Sequence, residues 1–135
     1  MNWTRFLLAV LAAGVGASLT DWLFMGVLFH QKYLVYPEVW WRKKGDPGEG
    51  RAILLATLLG IVTCAAFIFV CQRLGIHGPA RTLKLAAAIW LMTPVPLMIT
   101  NALWMKLHWQ IVLSNCLGWL AKLAVAALAA TYIMG

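Results

Sequence analysis

Four long apolar stretches constrain this chain more than any other feature: Phe6 to Phe29, Ala52 to Val70, Leu83 to about Leu107, and Gln110 to Met134. Each reaches the ~20 residues that a helix needs to cross about 30 Å of hydrocarbon. With no water in that layer a segment must satisfy its own backbone, which a helix does and an open strand does not. Hydrophobic residues make up 63% of the chain and charged residues 11%. Soluble domains carry roughly 25% charged residues, so the apolar surplus requires lipid around it. The expected architecture is an all-α integral membrane four-helix bundle, a single domain over residues 1–135 with spans at about 6–29, 52–70, 83–107 and 110–134.

The first stretch has a rival reading. Arg5, the apolar run behind it, and Val15 and Ala17 in a minus-three, minus-one arrangement resemble a cleavable secretory signal. Apolar character continues well past Ala17, and cleavage would leave no soluble domain to secrete. The stretch is therefore expected to stay as a span.

The formal net charge is +7, yet the basic residues are scattered over span ends and short loops. No separate soluble surface carries them, so nucleic acid is excluded as a partner in favour of lipid headgroups. Arg42, Lys43 and Lys44 directly follow Trp40 and Trp41, a cationic and aromatic pairing suited to the point where a chain leaves the bilayer. In the segment from His30 to Arg51, the three- and four-residue recurrence of Trp22, Met25, Phe29, Tyr33, Tyr36 and Trp40 predicts a helix that bends onto the membrane surface before Pro37. A turn-rich loop with Gly45, Pro47, Gly48 and Gly50 follows. The connection at His108 and Trp109 is barely a turn, which makes spans three and four antiparallel neighbours. Lys32, Arg42, Lys43, Lys44, Arg51 and Lys106 lie on the face of the long loop, against Arg5, Arg73, Arg81 and Lys84 on the other. That bias leans towards termini outside but leaves dual insertion open.

Span three contains Thr93-Pro94-Val95-Pro96. Each proline removes a backbone donor and crowds the carbonyl four residues earlier, Trp90 and Met92, so a kinked third helix is expected. Freed carbonyls at membrane depth need protein or water around them, so the kink either borders a cavity or is filled by a neighbouring helix. Cys64 and Cys71 stand seven positions apart on one helix and Cys116 on another, and small apolar filling is their expected role. Ala13 with Ala17, Gly14 with Ser18, and Ala126 with Ala130 are small residues four apart that allow close helix approach in lipid.

Polar residues inside the spans collect at one depth. At 1.5 Å per residue, Asp21 lies about 12 Å below the long-loop face, Thr100 and Asn101 about 10 Å, and Asn115 about 8 Å. Lys122 is deeper, at about 18 Å, leaving some 6 Å that its flexible stem can cover. An Asp21 to Lys122 ion pair hydrogen-bonded by Asn115 and Thr100 is expected, since either charge alone in hydrocarbon would cost several kcal/mol. The competing reading is that the pair merely fixes helix register, or that Lys122 snorkels away from it. Asn101, Trp104 and His108 share one helical face of span three. His30 and His108 sit at the membrane boundary, but without a supporting Cys or carboxylate cluster no metal or cofactor is assigned to them. No serine elbow, phosphate loop or metalloprotease motif occurs.

Asp21-Trp22-Leu23-Phe24-Met25-Gly26, followed by Thr100-Asn101, Trp109, Asn115 and Gly118, resembles small bacterial four-span membrane proteins grouped as domains of unknown function. Those carry Asp-x-Leu-aromatic-aliphatic-Gly in the first span, Thr-Asn in the third, and Trp with an Asp before Gly in the fourth. Asn115 stands where the family has that second Asp, so a two-carboxylate mechanism is not carried over. The resemblance implies a four-helix protein of the bacterial inner membrane and brings no activity with it.

The expected role is to bind or move a small molecule or ion through the polar layer of Asp21, Thr100, Asn101, Asn115 and Lys122, with His30, Trp104 and His108 as secondary sites. A carrier this small would need a second copy to enclose a pathway. Two rivals remain open: an accessory subunit with a purely structural ion pair, and a membrane enzyme acting on lipid through His30, Glu38 and His108.

Overall fold

The computed structural model describes residues 1–31 and 45–135. Four long apolar helices cross the length of the bundle: α1 (Trp3–Leu28), α2 (Glu49–Arg73), α3 (Pro79–Trp104) and α4 (Trp109–Met134). Together they make a multi-pass membrane protein. The surface extension through Tyr33, Tyr36 and Trp40, the Trp41 to Lys44 basic cluster, Lys32 and Glu38 lie outside the described residues.

The helix ends follow local chemistry. Asn2 caps α1, its side chain accepting the Arg5 N–H at 3.2 Å, which satisfies one of the donors that the first turn leaves orphaned. Asp46 and Glu49 accept backbone N–H groups from Gly48 (3.1 Å) and Gly45 (2.7 Å) and so order the approach to α2. Pro79 opens α3, where its missing donor costs nothing. His108 caps α4, its Nδ1 accepting the Gln110 N–H at 3.2 Å. Past Asp21 the turns of α1 widen to i→i+5 bonding as far as Leu28, closed by the Phe29 N–H donating to the Phe24 carbonyl at 3.1 Å.

The third helix bends at Thr93, and the kink is mild. Pro94 and Pro96 leave two carbonyls without their helical donors, but Thr93 N–H still reaches Ile89 at 3.0 Å and Leu97 N–H reaches Thr93 at 3.1 Å. The interrupted turn is thus bracketed by intact ones, which limits the change of direction.

α4 is the most enclosed of the four helices and touches the other three. Ala9, Ala13 and Ala17 of α1, Phe67, Ile68 and Cys71 of α2, Ala86 of α3, and Leu123, Ala126, Ala127 and Ala130 of α4 form the core. All three cysteines are buried free thiols. Lipid offers no hydrophobic drive for helix pairing, so contact must come from close backbone approach and shared hydrogen bonds. Both are present. A Cβ built on Gly14 would meet Ile61 Cγ1 at 2.8 Å, and one on Gly16 would meet Val125 Cγ1 at 2.6 Å. The Thr82 and Thr131 hydroxyls lie 2.9 Å apart between α3 and α4, and Trp90 Nε1–H donates to the Cys116 carbonyl at 2.7 Å.

Candidate functional site

Asp21 ends the regular part of α1, and its Oδ2 lies 3.0 Å from the Lys122 Nζ of α4. The lysine stem covers the depth difference between the two helices, as four methylenes allow. The ammonium also stands 4.8 Å from the centroid of the Trp119 ring, one helical turn away on the same face. Two glycines admit the pair. A Cβ on Gly60 of α2 would lie 3.7 Å from Lys122 Nζ, and one on Gly118 of α4 would lie 3.6 Å from Asp21 Oδ1. An alanine methyl at either place would lie in ordinary contact with the charged groups, and only a side chain longer than that would press on them.

The pair is not sealed into the core. It borders a cleft of about 250 Å³, walled by Met25 of α1, Ala56, Leu59 and Thr63 of α2, and Ser114 and Asn115 of α4. Met25, Ala56 and Leu59 are exposed, so the cleft opens between α1 and α2 on the outside of the bundle. Such a site can hold a small organic or inorganic solute against fixed charges. In a low-dielectric setting those charges act far more strongly than in water, while their mutual neutralisation keeps them tolerable.

Of the residues singled out in the sequence, the structure brings together Asp21, Asn115 and Lys122. Asn115 lines the cleft and donates through Nδ2 to the Ile111 carbonyl at 2.9 Å. Thr100 and Asn101, expected from residue count at the depth of the layer, do not line the cleft, because α3 packs on the other flank of α4. Residue counting gives depth along an axis and says nothing about the direction a side chain leaves it. Trp104, 87% exposed, points outward. His108 caps α4 and lies against Trp109 with ring centroids 5.9 Å apart. His30 is half-buried past the widened turns of α1. Among the described residues no three His, Cys, Asp or Glu side chains converge as metal ligands would.

The contribution of α2 was hidden in the sequence. Ala56, Gly60 and Thr63 recur at helical spacing among Ile53, Leu54, Leu55, Leu58 and Leu59, a small and weakly polar stripe of the kind that usually marks helix packing. Its proximity to two charges is the added fact.

No curated protein and no solved structure matches the chain. A family model does, over residues 8–131, a range that reaches into all four helices and includes Asp21 and Lys122. The chain therefore belongs to the family described as protein of unknown function (DUF1761).

Proposed function

We propose that this membrane protein binds or moves a small molecule or ion through the cleft beside Asp21 and Lys122. The observation that carries this reading is the placement of an intramembrane ion pair at the wall of an open cavity. A pair serving only helix register gains nothing from an adjoining space, whereas intramembrane ionisable residues commonly mark ligand and ion paths. Thr63, Ser114 and Asn115 add neutral polar groups to the same wall. The setting in the cell would be the bacterial inner membrane. Because the cleft opens sideways, a path across the whole bilayer would take a second copy to close it.

The test is flux and binding in proteoliposomes, with a panel of small inorganic and organic ions. Asp21→Asn should abolish any uptake or binding that the wild-type chain shows, while Asp21→Glu should retain part of it. Wild-type behaviour in Asp21→Asn would remove the reading.

A second reading, an accessory subunit of a membrane complex, is favoured by one feature. The outer side of α3, with Leu91, Met92, Leu97 and Leu103 exposed, is the least covered long surface of the bundle. Purification from native membranes with one stoichiometric partner, together with an inert Asp21→Asn variant, would select it.

A further inference from the structure

The ion pair is asymmetric, and the asymmetry has a chemical meaning. Asp21 is 35% exposed and Lys122 10%. The ammonium is enclosed by the carboxylate that binds it, by the Trp119 ring and by the backbone at Gly60. The carboxylate uses Oδ2 for that contact, while Oδ1 carries no hydrogen bond among the described residues and lies beside Gly118, where there is no side chain to cover it. Of the two charges the carboxylate is therefore the more accessible to a solute in the cleft. Around that oxygen the rim is apolar, with Met25, Ala56 and Leu59, and the deeper polar groups, Thr63, Ser114 and Asn115, each carry an acceptor oxygen. Among the described residues no cation other than Lys122 lines the space. The other described basic residues, Arg5, Arg51, Arg73, Arg81, Lys84 and Lys106, stand near helix ends, where lipid headgroups and salt screen them.

We infer that the cleft selects a small lipophilic organic cation, which takes Asp21 Oδ1 and competes with Lys122 for the carboxylate. This rests on the reading of the cleft as a binding site and adds the sign and the polarity of what it binds. The apolar rim accepts the hydrocarbon part, the carboxylate accepts the charge, and Trp119 offers a ring face to a cation whenever Lys122 gives way. An anion would have to reach Nζ, and the enclosure of that atom opposes it.

Two permanently charged ions of nearly the same shape separate the alternatives: benzyltrimethylammonium and phenylmethanesulfonate. Binding is measured by equilibrium dialysis of the full chain in nanodiscs of uncharged phosphatidylcholine, which removes headgroup adsorption of either ion. The cation should bind at least about tenfold more tightly than the anion, a gap of ~1.4 kcal/mol. Asp21→Asn should abolish cation binding and Asp21→Glu should restore it. Lys122→Met should strengthen it, because a competitor for the carboxylate is gone, and a merely structural lysine would not change affinity in that direction. Preferential binding of the sulfonate, lost in Lys122→Met, would overturn the inference while leaving the cleft a binding site. Equal binding of both ions, binding of neither, or cation binding indifferent to both substitutions would also overturn it. The flux test on Asp21→Asn judges the broader reading by itself, so the two failures are distinct.

Discussion

The two ends of the bundle are built differently. Towards the end where α1 begins, alanines and glycines bring backbones together. Ala9, Ala13, Ala126 and Ala127 have no or almost no exposed surface, and Thr82 meets Thr131 across the α3–α4 seam. Towards the long-loop face, α1 passes Asp21 into widened turns in which none of Trp22 to Leu28 is buried, and α2 stands off to leave the cleft. Small residues serve both ends, but to opposite effect: Gly16 admits a neighbouring side chain, whereas Gly60 and Gly118 leave room beside charges. A bundle without hydrophobic drive between its helices can thus be closed at one end by steric fit and held open at the other by polar groups.

Removing one charge should break the open end most severely. Breaking a buried pair costs roughly 3–5 kcal/mol, and with Asp21 a third exposed solvent offsets part of that, so Lys122→Met is expected to lower the unfolding free energy in mixed micelles by about 2–3 kcal/mol. Combining it with Asp21→Leu should recover most of the loss, since two apolar groups strand no charge. A double variant as unstable as the single would show that the pair itself, not the stranded carboxylate, carries the stability.

At the closed end the expected loss is smaller. Gly16→Ala places a methyl 2.6 Å from Val125 Cγ1, and overpacking of this kind costs about 1–3 kcal/mol. With Val125→Ala in the same chain the effects should be less than additive, as neighbours sharing one contact are. Strict additivity would show that the helices part rather than clash.

The smallest effect is expected at Gly118. Its alanine methyl would lie 3.6 Å from Asp21 Oδ1, an ordinary contact, and alanine gains up to ~1 kcal/mol of helix propensity over glycine. Gly118→Ala should leave stability unchanged or slightly higher while weakening cation binding by crowding the open carboxylate oxygen. A stability loss comparable to Gly16→Ala would erase the distinction between the two ends.

Much of this was legible from residues alone, for identifiable reasons. Span number follows from hydrophobic run length against bilayer thickness, and Asp21 and Lys122 could be matched because depth scales with residue count and lysine reaches several ångströms. The mildness of the bend at Pro94 and Pro96 could not be read, because it depends on which backbone bonds survive around Thr93. Nor could the separation of Thr100 and Asn101 from the cleft, which is set by the flank of α4 that α3 occupies. Nor could the place of Gly60 beside the pair, because along a single helix room for a neighbour and room for a ligand are the same absence of side chain.

The position of Lys122 on α4 has a consequence for biogenesis. The helix that touches all the others is also the one that follows them in the chain, so during synthesis the first three spans enter the bilayer before their common scaffold does. Until then Asp21 waits in the membrane without its counter-charge, at an insertion penalty of about 2.5–3.5 kcal/mol near the bilayer centre. A chain halted before the fourth helix keeps that penalty, and the lysine that pairs with Asp21 relieves it on arrival.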